Sequence, residues 1–122
     1  MMIHISDKCR YLLYCGNTDM RMSFHGLAAL VKYAMQSNVL TGDVFVFVSK
    51  RRNAIKLLRF ESDGFAIFYK RLEKGTFEIP NRNSKSDTVT LSDNELIFIL
   101  KGVALSKVKY RQRYSQNFAV CE

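Results

Sequence analysis

The chain of 122 residues has no tryptophan, one proline, three cysteines and two histidines. The cysteines, Cys9, Cys15 and Cys121, are odd in number and lack the pattern of a disulfide framework, which is typical of a reducing compartment. Together with His4 and His25 they show none of the paired spacings of a tetrahedral zinc site. The sequence therefore predicts neither a metal site nor a cofactor.

Long apolar runs and glycine-rich loops are also missing. The longest apolar runs, such as residues 44–48, are far shorter than the roughly 20 residues that a membrane-spanning helix needs. Residues 1–16 lack a basic start followed by an apolar run of about 7–15 residues, so no secretory signal is expected. The six glycines never form GxGxxG or GxxxxGK. We expect a cytoplasmic protein without a phosphate-cradling loop.

Positive charge is in excess. Lysine and arginine number 19 against 11 acidic residues, which gives a net charge of +8 and favours polyanionic partners. The length fits one domain, which we place at residues 1–102. Residues 103–122 form a more basic tail with four cations and one carboxylate, whose alternating charges are compatible with an edge strand or a basic arm.

The first third of the chain predicts a strand followed by a helix. Residues 10–15 are short and aromatic, and Gly16-Asn17 indicates a turn after them. Apolar residues then recur at three- and four-residue spacing, which predicts a helix over residues 20–36. Thr18 or Asp19 is expected to cap it.

The centre of the chain, residues 43–80, predicts consecutive strands. The segments 44–48, 54–61, 65–72 and 76–79 are rich in β-branched and aromatic residues and are separated by turn residues such as Asp63-Gly64 and Lys74-Gly75. Because the connections are short, we expect an antiparallel meander. The polar residues 81–87 are predicted to form a loop or linker.

A second helix is predicted near the end of the domain. Ser92 and Glu95 have capping-box spacing, residues 96–100 are apolar nearly all round, and Gly102 suits the helix C-terminus. The predicted fold is a single α+β domain, an antiparallel meander of about four to five strands with two packed helices.

Catalysis finds little support in the sequence. Cys15 and His25 could form a nucleophile–base pair, but nothing indicates a third residue that would orient the base. A two-metal nuclease could use Asp19, Glu61 and Asp63. Asp19 is more simply a helix cap and Asp63 a turn residue, so the chain is not expected to be an enzyme, and the nuclease is the weakest alternative.

Binding to DNA is better supported. In a hairpin closed at Asp63-Gly64, both faces are apolar in the middle and basic toward one end, and residues 50–52 add three cations at a neighbouring hairpin tip, where side chains can reach a phosphate backbone. The alternative for each cation is that it covers its own apolar stem beside the core. The residues predicted to contact DNA are Lys50, Arg51, Arg52, Lys56, Arg59, Lys70 and Arg71.

Four segments in one order carry a resemblance to a known family. GNTDMRMSFHGL (16–27), GDVFVFV (42–48), DGF (63–65) and YKRLEKGTF (69–77) resemble the TnpB-type accessory protein, the second open reading frame, of insertion-sequence family sixty-six. Met22 and Ser23 depart from the lysine and glycine usual in that family.

The resemblance implies a non-catalytic role in DNA transposition beside a separate transposase that carries the catalytic carboxylates. No catalytic residue carries over. The matching positions most expected to matter are the motif residues Asp19 and Arg21, together with Lys70, Arg71 and the basic hairpin. Two functions remain open at this point: an accessory protein that binds DNA non-specifically, and an interaction module that docks on the transposase without contacting DNA.

Overall fold

The computed structural model describes residues 8–80 and 87–102. They form one five-stranded sheet and two α-helices. The strands are β1 (Tyr11–Asn17), β2 (Val44–Val48), β3 (Ala54–Glu61), β4 (Gly64–Arg71) and β5 (Thr88–Leu91). The helices are α1 (Phe24–Ala29), which continues into a π-helical segment (Leu30–Ala34), and α2 (Asp93–Lys101), and a 3₁₀ turn (Val39–Thr41) precedes β2.

The sheet has the order β4-β3-β2-β1-β5. The α+β class is confirmed, but the sheet is mixed, because β1 and β2 are parallel while the other three pairings are antiparallel. Parallel neighbours need a crossover that returns the chain to the starting end of the sheet. Here the crossover contains α1, so the purely antiparallel meander was wrong at this pair.

Both faces of the sheet are covered by helices. On one, which we call the α1 face, Leu27 and Val31 pack against sheet residues such as Phe45. On the other, the α2 face, Leu96 and Ile99 pack against sheet residues that include Val46. Every residue of β2 is buried, which is the expected consequence of covering a central strand on both sides.

The first helix is shorter than predicted. It begins at Phe24 with Ser23 at the N-cap and no side-chain cap, so the caps predicted at Thr18 or Asp19 were wrong. Thr18 is buried instead, and its N–H donates to the carbonyl of Val48, which ties the end of β1 to the end of β2.

The second helix agrees with its sequence signals. The Ser92 hydroxyl accepts from the Glu95 N–H at 3.1 Å, and the Glu95 carboxylate accepts from the Ser92 N–H at 2.9 Å, which completes the capping box. Gly102 ends the helix with φ of 82°, in the left-handed region that favours glycine. None of the described helices is long and apolar enough to cross a membrane.

The strand predicted at residues 76–79 is absent. That segment is irregular, although Phe77 is only 2% exposed and its N–H donates to the Arg52 carbonyl at 2.6 Å. The fifth strand is β5, which pairs with β1. The Cys15 N–H also donates to the Asp87 carbonyl. Most of the predicted linker, the tail at 103–122, His4 and Cys121 lie outside the described residues.

Candidate nucleic-acid interface

The turn between β2 and β3 presents three consecutive cations at one end of the sheet. The Ser49 hydroxyl accepts from the Ala54 N–H and donates to the Asn53 side chain, both at 3.1 Å, which closes the turn from inside. Arg52 has φ of 59°, and its N–H donates to the Ser49 carbonyl at 2.9 Å. With the turn held by these bonds, the side chains of Lys50, Arg51 and Arg52 are free to extend into solvent, and all three residues are exposed.

The end of β4 brings a fourth exposed cation to the same place. Arg71 lies opposite Ala54 in the β3–β4 register, and the Leu72 N–H donates to the Asn53 carbonyl at 2.8 Å. Arg71 therefore sits beside the β2–β3 turn although it is about twenty residues away in sequence. We call the four exposed residues Lys50, Arg51, Arg52 and Arg71 the basic end.

Lys56 serves a different purpose. It lies on the α1 face, where its ammonium group donates to the Met22 carbonyl at 2.7 Å and stands 5.1 Å from the centre of the Tyr69 ring. Met22 belongs to the loop that enters α1. Lys56 therefore attaches this loop to the sheet.

Lys70 makes the corresponding contact on the α2 face. Its ammonium group donates to the Leu100 carbonyl at 3.1 Å, in the last turn of α2, where a cation is also favoured by the helix dipole. Arg59, on the same face, has a side chain that is 18% exposed and donates to the Glu61 carboxylate at 2.9 Å. The predicted cations thus divide into four that are exposed at the basic end and three that hold contacts within the domain, and DNA contact stays a prediction for all seven.

The family-motif residues Asp19 and Arg21 bind each other. The Arg21 guanidinium donates to both Asp19 oxygens at 2.7–3.1 Å, and the Arg21 N–H adds a bond of 2.9 Å. These bonds, with a smaller contribution from the charge of Lys56, lower the pKa of the Asp19 carboxyl to about 2. The pair fixes the loop between β1 and α1, and it neutralises much of the charge that Arg21 would offer to phosphate.

The residues considered for catalysis are not assembled into a site. Glu61 and Asp63 lie at the β3–β4 turn, at the opposite end of β3 from Ala54, whereas Asp19 lies near Lys56. Within residues 8–80 and 87–102, no group of three or more histidine, cysteine or acidic side chains could hold a metal ion.

The properties of Cys15 and His25 do not indicate a nucleophile–base pair either. Partial desolvation of the Cys15 thiol, with the nearby charge of Asp87, raises its pKa, which is opposite to the change that activates a nucleophile. His25 is exposed on α1, where its ring packs against Phe24 at 5.2 Å between centroids.

Sequence reasoning missed the acceptors that engage Lys56 and Lys70. Both acceptors are backbone carbonyls, of Met22 and Leu100, and every residue carries a carbonyl. No residue type in the sequence could have marked them.

The chain forms a small α+β domain with four exposed cations at one end of its sheet, and comparison with known sequences gives its family. The protein belongs to the IS66 Orf2-like family, whose model matches residues 9–110. It is similar to two Sinorhizobium fredii proteins named as uncharacterized, y4hO, at 29% identity over 84% of this chain and 87% of that protein, and y4jC, at 30% over 88% and 91%. No solved structure matches the chain. Membership of this family indicates an accessory role associated with transposition of an insertion sequence.

Proposed function

We propose that the protein is a non-enzymatic accessory factor of transposition that attaches to DNA without sequence preference through the basic end. The observation that carries the proposal is the convergence of Lys50, Arg51, Arg52 and Arg71. Two segments that are distant in sequence place four exposed cations at one end of a hydrogen-bonded sheet.

The chemistry of these side chains suits a phosphate backbone. Guanidinium groups bind phosphate oxygens in a bidentate manner, and a lysine offers a mobile point charge beside them. Contacts of this kind position a protein on a duplex but carry no base information. The net charge of +8 adds long-range attraction to any polyanion.

Lys56, Arg59 and Lys70 contribute to this field rather than to direct contact. Each already donates to an acceptor within the domain. Moving one of these groups onto a phosphate would leave that acceptor without its bond, which disfavours the exchange.

A second candidate function is docking on the transposase. Near the end of the α1 crossover, Tyr33 is 72% exposed and Leu40 58% exposed. A neighbouring groove of about 480 Å³ is lined by Ala28, Ala29 and Val39, among others. Such a surface favours a protein partner, and it is separate from the basic end.

Salt titration of duplex binding tests the proposal. Four phosphate contacts predict that log K falls with log salt at a slope of about −3.6, so affinity should drop about 150-fold between about 50 and 200 mM salt. Replacing Lys50 and Arg51 together with alanine should reduce the magnitude of the slope by about 1.8. Arg52 is left unchanged because of its positive φ.

Lys32→Ala is the matched control for Arg51→Ala, since each substitution removes one positive charge. Lys32 is exposed and borders the same groove as Asn38 and Val39, a few residues before β2 begins at the end of the sheet opposite the basic end. We expect Arg51→Ala to change the slope by about 0.9 and Lys32→Ala to leave it unchanged. No binding at about 50 mM salt, or equal effects of the two variants, would contradict the proposal.

A further inference from the structure

Strand β4 forms an open edge of the sheet. Within the described part of the chain it pairs only with β3. Hydrogen-bonded and non-hydrogen-bonded pairs alternate in an antiparallel ladder. The bond from the Leu72 N–H to the Asn53 carbonyl therefore directs the peptide groups of even-numbered β4 residues toward β3. The N–H and C=O groups that point away from β3 belong to Phe65, Ile67, Tyr69 and Arg71.

The middle of this edge has none of the usual protection against pairing. Edge strands are commonly blunted by proline, by bulges or by charged side chains. Residues 65–69 read FAIFY, and the register with β3 runs without a bulge from Ala54–Arg71 to Glu61–Gly64. Within β4, charge appears only at Lys70 and Arg71, and Asp63 lies just before the strand. An uncharged, largely apolar edge over residues 64–69 is one that can accept another strand.

We propose that the occupant is a second copy of this chain, with β4 pairing antiparallel to β4 of the partner about a two-fold axis centred on Ile67. If the two-fold axis is perpendicular to the sheet, the α1 faces of both copies lie on the same side of the joined sheet. Each odd-numbered β4 residue of one copy is then paired with an odd-numbered β4 residue of the other. Phe65 then lies opposite Tyr69 of the other copy, a cross-strand aromatic pair that stabilises sheets. The outward peptide groups bond to each other, and the two sheets become continuous.

Charge favours the register centred on Ile67 over the register centred on Phe68. Centring on Ile67 brings Arg71 of each copy opposite Asp63 of the other, at both ends of the strand pair. A guanidinium has five N–H donors, so this pair reduces the charge that Arg71 offers to phosphate but leaves donors for the DNA contact proposed above. Both residues are exposed, and neither has an ion-pair partner among residues 8–80 and 87–102. Centring on Phe68 would instead bring Asp63 opposite Glu73, two carboxylates that repel.

The tail of this chain is a less suitable occupant. Residues 103–122 carry four cations and one carboxylate. Pairing them with β4 would add positive charge beside Lys70 and Arg71, whereas the second copy supplies Asp63.

Sedimentation velocity of the full chain, freed of nucleic acid, tests the proposal. We expect a dimer at about 100 μM, where an association with a Kd of about 1 μM is largely formed. Ile67→Pro removes an outward N–H while keeping every bond to β3, which edge strands tolerate, and should give a monomer. Ile67→Ala, which shortens the side chain but retains the N–H, should remain a dimer.

Charge reversal supplies a test that does not touch the strand interior. Asp63→Arg sets arginine opposite arginine at both ends and should raise the dimer Kd about tenfold, and adding Arg71→Asp should restore it to within about threefold. A monomeric parent protein, a dimer that survives Ile67→Pro and Asp63→Arg, or cross-links joining β4 to residues 103–122 of its own chain would overturn the proposal.

Discussion

Replacing Lys56 with methionine should separate stability from DNA binding. Methionine keeps the unbranched apolar stem but removes the ammonium group, so the Met22 carbonyl loses its donor and Tyr69 loses its cation. A hydrogen bond from a charged group contributes about 1.5–3 kcal/mol, and an exposed cation–π contact about 0.5–1 kcal/mol. We therefore expect the free energy of unfolding to fall by about 2–4 kcal/mol.

Two measurements check this expectation on the same variant. Denaturant unfolding should show the loss of stability, while the salt slope of DNA binding, measured where the variant is folded, should match the parent protein. Arg71→Met is the comparison, because Arg71 is exposed on the same sheet face without such contacts. It should leave stability within about 0.5 kcal/mol. A stable Lys56 variant with a reduced slope would show that the ammonium group binds phosphate instead.

Two further predictions concern the Asp19–Arg21 pair and the N-terminal cap of α2. In an NMR titration, the Asp19 carboxyl should titrate near pH 2 in the folded protein, and Arg21→Ala should return its pKa toward 3.8. Because the folded pKa is the lower one, the stabilisation is present above pH 3.8 and is lost as the pH falls toward 2. Separately, Ser92→Ala should lower the free energy of unfolding by about 1 kcal/mol in urea, and Ser92→Thr, which keeps the cap, should lower it less.

Elements defined by local chemistry were predicted well. Strands β2 and β3 have the predicted bounds, since dense β-branched and aromatic residues stop abruptly at polar turns. The capping box of Ser92 and Glu95 and the terminal Gly102 likewise depend on neighbouring residues alone. Because these signals need no knowledge of the rest of the fold, the sequence was sufficient.

Elements that depend on distant partners were not predicted. The order of strand, helix and strand up to β2 is the signal of a parallel pair, and it should have outweighed the short turns that follow. Strand β5 has four residues and is defined by its pairing with β1. Phe77 is buried by packing on the α2 face, and its N–H donates to the Arg52 carbonyl although the segment is not a strand. Its aromatic character therefore indicated burial and not strand structure.

The same distinction applies to the seven cations. Four of them lie on β3 and β4, where strict alternation of side chains is sufficient to place Lys56 and Arg71 on one face and Arg59 and Lys70 on the other. Their partners depend on how the helices pack: Lys56 meets the loop before α1, and Lys70 meets the end of α2. Neither contact exists until the crossover and the second helix are in place.

Faces and partners together determine what each cation can do. A cation that donates to a buried or structural acceptor stabilises the fold, and its removal should lower the free energy of unfolding. A cation held exposed by a well-bonded turn adds little to stability, so its cost in self-repulsion has to be offset by another benefit. At the basic end, four such groups lie together although each adds to the repulsion among the others. Binding of a polyanion relieves that repulsion, so exposure together with clustering, rather than charge alone, supports the proposal that Lys50, Arg51, Arg52 and Arg71 contact DNA.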